Sequence, residues 1–300
     1  MKTYTDLPSD AGSNIIGQVT AQANRLQQRL TSVKYTVAVM SGKGGVGKSS
    51  LTANLAAALT LKGNTVGVVD ADINGPTLAK MMGVRNATLE YTPTGVKPAI
   101  TALGTKLISM DLLLAEDDAP VLWNAHSQKD AFTWRATMEV GALREFIADT
   151  EWGNLDYLLL DLPPGTDRLP NVAELIPNLG GIVVVTIPSE VSQLIVKKSV
   201  TMAKDILKVP IIGVVENMAF YVCQHCGEEE PLFSADETPD KAFQQTVLGS
   251  IPFDPRLAHA NDNGTPYIDK YPDTPVSRAF IQVVEKIQDF FKSQTTERSP

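Results

Sequence analysis

Cysteine is almost missing from this chain: two residues in 300, at positions 223 and 226. A disulfide framework therefore plays no part in holding the fold. Long apolar runs are missing too, since none reaches the roughly 18 residues a membrane-spanning helix needs. Residues 1–30 lack the basic-then-apolar layout of a secretory signal. Nor is there an excess of positive charge: 34 acidic residues against 26 lysines and arginines give a net charge of −8. No broad basic surface then points to a nucleic acid partner. These absences predict a cytoplasmic protein with neither a membrane nor a nucleic acid as partner. Aromatic residues are sparse at 6%, but 43% of the chain is hydrophobic and 20% charged, the balance of a chain with a large buried core.

What is present begins at residues 42–49, Gly-Lys-Gly-Gly-Val-Gly-Lys-Ser, which fit the phosphate-binding pattern G-x-x-x-x-G-K-S/T. Gly42, Gly44, Gly45 and Gly47, with Val46 among them, let successive backbone N–H groups turn inward around a polyphosphate. Lys48 is expected along the β- and γ-phosphates and Ser49 on a magnesium ion, with Ser50 completing the nucleotide contacts. A second lysine, Lys43, follows the first glycine. An apolar run at 35–40 precedes the loop, and Leu51, Leu55, Ala58, Leu59 and Leu61 follow at helical spacing. The expected ligand is a nucleoside triphosphate with magnesium.

Apolar strand-like runs recur at 65–70, 106–110, 156–161, 181–187, 210–215 and 246–251, with helix-like segments at 49–61, 130–149, 168–179 and 191–208 between most of them. This alternation predicts an α/β fold, a mostly parallel twisted sheet flanked by helices on both faces. Right-handed crossovers would bring the phosphate loop and the other strand ends to one edge. Residues 1–33 read as an N-terminal extension, helical over 14–30, and 34–295 as a single domain. Residues 277–292 carry an apolar helical face with mixed charges opposite, which predicts core packing over a membrane surface. Residues 84–105 and 111–128 are the least regular.

Acidic residues stand at two of these strand ends. Asp70 and Asp72 lie in Asp-Ala-Asp-Ile-Asn-Gly-Pro, where either could hold an attacking or magnesium-bound water, although the same residues favour a turn. Asp161 ends an apolar strand before Leu-Pro-Pro-Gly-Thr, the usual place for the acidic partner of a phosphate loop, and Gly165 could offer its N–H to the γ-phosphate. Asn217 ends another strand, where an amide can pair with a base edge. Pro252 and Phe253 lie in Ile-Pro-Phe-Asp-Pro, a weaker signal.

As a set, the motifs at 41–49, 70–76, 161–166 and 216–227 resemble the Mrp/ApbC group. These are iron–sulfur cluster carrier ATPases of the deviant-Walker, SIMIBI class of P-loop NTPases, which also holds the MinD and ParA positioning and partition ATPases. The resemblance implies an ATP-sandwiching homodimer with slow hydrolysis. It makes Lys43 the lysine that reaches the phosphates of the opposite subunit, Asp72 the handler of the hydrolytic water and Asp161 the Walker-B acid. It also puts Asn217 on adenine, with Pro252 and Phe253 in a loop beside the base. The chain departs from the group's pattern at Asn74, at Asn124-Ala125-His126 and at Asp167-Arg168. Residues 1–33 are too short for the extra N-terminal domain some relatives carry.

Cys223 and Cys226 form a C-x-x-C with His225 inside it and three glutamates after Gly227. Two thiolates cannot close the four-sulfur shell of zinc or of an iron–sulfur cluster. A two-fold dimer brings four together, and a 4Fe–4S cluster could bridge there. The residues alone suit zinc and a cluster alike, and the resemblance favours the cluster. The reading is an ATP-dependent carrier that takes a cluster from a donor and gives it to apo iron–sulfur proteins. Two other readings stay open: a MinD/ParA-type positioning ATPase, and a zinc-bridged structural dimer. The first predicts a basic patch and has no use for the cysteines.

Overall fold

The computed structural model describes residues 15–114, 131–223, 225–233 and 245–297. Its strands are β1 (Val33–Ser41), β2 (Val66–Asp70), β3 (Glu90–Thr92), β4 (Gly95–Lys97), β5 (Ala99–Ile100), β6 (Lys106–Ile108), β7 (Leu155–Asp161), β8 (Gly181–Thr186), β9 (Ile211–Glu216), β10 (Phe220–Val222), β11 (Glu229–Pro231) and β12 (Val247–Ser250). Eight of them form one sheet in the order β12-β9-β8-β1-β7-β2-β6-β5, parallel throughout except for the β5–β6 pair. β3–β4 and β10–β11 are separate two-stranded hairpins. Each strand foreseen as an apolar run is present within a few residues of its expected ends.

β1 is the pivot of the sheet. Six consecutive residues, Thr36 to Ser41, are buried, which is why the sequence shows a continuous apolar run where a half-exposed strand would alternate. β7 lies on one side of β1 and β8 on the other. The chain therefore switches direction across the sheet at the point where the phosphate loop leaves β1, the crevice in which doubly wound sheets hold their ligands.

The described helices are α1 (Ile15–Thr31), α2 (Lys48–Leu61), α3 (Leu78–Met81), α4 (Ala131–Asp149), α5 (Leu169–Leu175), α6 (Glu190–Thr201), α7 (Pro255–Asp262), α8 (Tyr267–Lys270) and α9 (Pro275–Glu297). α2 is covered nearly all round, and its alanines 53, 56, 57 and 58 let neighbours approach closely. α9 buries Val276, Phe280, Val283, Val284, Ile287 and Phe291, one face at helical spacing. Phe291 stacks on Tyr35 of β1 with ring centroids 4.3 Å apart, so this helix packs on the core as its pattern predicts. α1 is tied down by buried Leu26, by an ion pair from Arg25 to Asp149 (3.0 Å), and by Arg29 donating to Thr94 O (2.8 Å). No described helix is long and apolar enough to cross a membrane.

Candidate functional site

Residues 42–47 turn from β1 into α2. Gly45 and Gly47 adopt the left-handed region (φ 79° and 81°), where a side chain would be strained. Gly47 is the N-cap of α2, so the loop ends on a helix N-terminus, a favourable seat for an anion. A cavity of about 430 Å³ lies over the loop, lined by Gly44–Ser50 together with Asp72, Pro164, Met218 and Asn261.

Asp161 organises the floor of this cavity. It is fully buried, and its register opposite Val39 sets it beside the loop's origin. Its Oδ2 accepts from Lys48 Nζ (2.7 Å) and Ser49 Oγ (2.6 Å), and its Oδ1 accepts from Thr52 Oγ1 (2.6 Å). A buried carboxylate is costly unless its lone pairs are filled, and here an ammonium and two hydroxyls fill them. Thr52 carries no motif signal. It meets Asp161 because it lies four residues after Lys48, on the same face of α2.

The two acids after β2 diverge. Asp70 turns inward, accepting from the backbone N–H groups of Thr77 and Leu78 and from Ser109 Oγ, all at 3.0–3.1 Å. Burial, reinforced by the charge of Asp161, pushes its carboxyl up to about 7. Asp70 is thus a structural brace for the start of α3, with its Oδ2 engaged within the chain. Asp72 lines the cavity. Burial raises its proton affinity, and Lys48 pulls in the opposite direction.

Two expected contacts are engaged within the chain, and a third lies away from the loop cavity. The Gly165 N–H donates to Ser41 O (2.9 Å), so offering it to a phosphate requires that bond to open. Asn217 is buried and donates from Nδ2 to Val46 O (2.9 Å), bracing the phosphate loop. Pro252 and Phe253 do not line the loop cavity. They line a separate one of about 290 Å³ with Tyr221, Cys223 and Arg256. Lys43 is half-buried, and no ion pair forms at its ammonium among the described residues. Asn261 of α7 was not foreseen: its Nδ2 donates to Ser50 Oγ (2.8 Å), while its buried Oδ1 has no partner. The Asn124–His126 departure lies outside the described residues.

The cysteines lie in the turn between β10 and β11. Cys223 is half-buried and Cys226 exposed. The Gly227 N–H donates to Cys223 O (2.8 Å) with Gly227 at φ 77°, which curls the turn back on itself. Hydrogen bonds from the backbone N–H groups of Cys226 and His225 and from the Cys226 thiol pull the Cys223 thiol below its ordinary value, favouring thiolate. No cluster of three or more metal-ligating side chains occurs among the described residues. The hairpin is tied to the end of the main sheet by main-chain bonds: Ala219 N–H to Ile251 O (3.0 Å) and Phe253 N–H to Phe220 O (2.7 Å).

The chain as a whole is similar to known proteins. Residues 32–288 match the family model described as "ParA: NUBPL iron-transfer P-loop NTPase". The chain belongs to this iron-transfer P-loop NTPase family. An iron–sulfur cluster carrier protein of Saccharolobus solfataricus is 42% identical over 273 residues, covering 90% of this chain and 88% of that protein. The cytosolic Fe–S cluster assembly factor NUBP1 homolog of Caenorhabditis elegans is 36% identical, covering 89% and 85%. Among solved structures, a nucleotide-binding protein of Archaeoglobus fulgidus in complex with ADP superposes with a TM-score of 0.70 at 33% identity, covering 86% of this chain and 96% of that one. MinD of Aquifex aeolicus, at 21% identity and a TM-score of 0.58, shares the fold. Membership of the iron-transfer P-loop NTPase family thus rests on similarity along most of the chain.

Proposed function

We propose that the chain is a slow ATPase of the cytoplasm that carries a 4Fe–4S cluster across a homodimer, taking it from a donor and handing it to apo client proteins. The observation that carries this reading is the half-site at Cys223 and Cys226. Two thiols project from one turn, the first held towards thiolate, with no third ligand grouped with them among the described residues. A second copy supplies the missing pair. Further support comes from α6, where Val191 and Leu194 are 66% and 56% exposed. The same helix packs against the loop, since a Cβ on Gly42 would meet Ile195 Cγ2 at 2.1 Å. An exposed apolar face beside the phosphates suits a subunit contact.

At the nucleotide site, ATP phosphates would draw Lys48 from Asp161 along the β- and γ-oxygens. Ser49 Oγ and Asp161 Oδ2 lie 2.6 Å apart at the loop, a hydroxyl and a carboxylate that fit magnesium, the carboxylate acting through a water. Bound there, Mg2+ would neutralise charge developing between the β- and γ-phosphates. Asp72 faces the same cavity, where its carboxylate could orient the attacking water. Lys43 would reach into the partner's site. When Gly165 trades Ser41 O for the γ-phosphate, the segment after β7 shifts, which is how hydrolysis would change the angle between subunits and the hold on the cargo.

Anaerobic reconstitution with iron and sulfide tests the reading. About four irons per dimer, lost in Cys223→Ala, are expected. Zinc retention without iron uptake would establish the zinc-bridged dimer in its place.

A further inference from the structure

The loops that leave β2 and β7 converge on one buried carboxylate that no motif marks. Glu139, on α4, is 8% exposed. Its Oε1 accepts from Asn74 Nδ2 at 2.6 Å, and its Oε2 lies 2.6 Å from Arg168 Nη2. Asn74 stands two residues after Asp72, and Arg168 three residues after Gly165. One oxygen therefore serves each of the two loops beside the phosphate cavity. Charge-assisted bonds of this length are strong, and a buried carboxylate losing either donor is left under-satisfied. Asp167, the other acid near Arg168, lies 3.7 Å from its Nε and is largely exposed, so Glu139 is the closer anchor.

Had Glu139 served only to pin α4 to the body, one donor on one loop would suffice. Its two oxygens instead join the segments that follow two neighbouring strands, β2 and β7, beside the phosphate cavity. We propose that Glu139 is a positioning residue for hydrolysis, locking the Asp72 loop to the Gly165–Arg168 loop so that the two open and close over the γ-phosphate as one unit. Movement of Gly165 then carries Asp72 with it, and the water-orienting acid is in place only while the phosphate contact is made. The catalytic consequence rests on the ATPase reading above, whereas the mechanical coupling does not.

Two measurements on the full chain test this. Hydrogen–deuterium exchange of Arg168→Ala and Asn74→Ala, read at 73–77 and 165–169, is expected to quicken about tenfold at both loops in either variant, since residues sharing one partner are coupled. Quickening confined to the mutated residue's own loop would overturn the coupling. In steady-state kinetics, Glu139→Gln keeps the side-chain volume and is expected to lower kcat about tenfold with KM for ATP changed less than about twofold. A native chain that hydrolyses ATP alongside an unchanged Glu139→Gln would refute the positioning role. A native chain with no hydrolysis at all would instead refute the ATPase reading, with exchange still deciding the coupling. Asn74→Ala/Arg168→Ala should be no worse in kcat than Arg168→Ala alone, and additive losses would also count against a shared anchor.

Discussion

Asp70 and Asp161 sit side by side in register on β2 and β7, both without exposure to solvent, and chemistry separates them. Asp161 is met by an ammonium and two hydroxyls, whereas Asp70 receives only neutral donors while facing the charge of its neighbour. Folding thus raises the Asp70 carboxyl from 3.8 to about 7. Between those values the folded chain keeps a proton that the unfolded chain has released, so this group's contribution to stability falls as pH rises through that window. Asp70→Asn should flatten the fall, so denaturant midpoints at pH 5 and pH 8 should differ less than in the native chain. An equal difference would show that the group does not set the slope. Asp161 was legible because an apolar strand ending in an acid has few other uses beside a phosphate loop. Asp70 was not, since its spacing from Asp72 does not reveal that one turns towards α3 and the other towards the cavity. Thr52 and Asn261 act through partners more than 100 residues away in sequence, and Glu139 joins Asn74 to Arg168 across the gap between two strands, which no local pattern encodes.

At the scale of elements, the phosphate loop depends unequally on its glycines. A Cβ at Gly47 would face a positive φ and would also come within 2.2 Å of Asn217 Nδ2, whereas one at Gly44 would meet nothing within 4 Å. Gly47→Ala is therefore expected to cost about 1–3 kcal/mol and to weaken nucleotide binding. Gly44→Ala should stay within about 0.5 kcal/mol of the native chain in thermal unfolding. Equal losses in the two variants would contradict the geometry. The principal strands were readable because each is buried on both faces and long enough to show as an apolar run. The β10–β11 hairpin was not, because β11 is Glu-Glu-Pro, exposed and poor in strand-forming residues. The long segment after Ser189 breaks at a π turn, Met202–Ile206, followed by Lys208 at φ 57°, where the sequence reads as one continuous helix.

For the whole molecule, the proposed dimer predicts complementation between damaged copies. Lys43→Ala should bind nucleotide but fail to hydrolyse it, and Asp72→Asn should also fail. Mixed in equal amounts, half the dimers hold one intact site of two, so about a quarter of native hydrolysis should return. No recovery in a freely exchanging mixture would remove Lys43 from the partner's site. The arrangement of sheet and helices was legible from alternation alone, but the joining of the cysteine turn to the Ile-Pro-Phe segment was not, since those stretches are some thirty residues apart and meet by main-chain atoms. That joining has a mechanical consequence. With its root fastened at Ala219 and Phe220 to Ile251 and Phe253, the thiol-bearing arm is a fixed jaw, not a swinging one. In the proposed dimer, rotation of a subunit would then be transmitted undamped to its two sulfurs, and the grip on an inorganic cargo would be governed by how the bodies turn, not by flexing of the fingers that hold it.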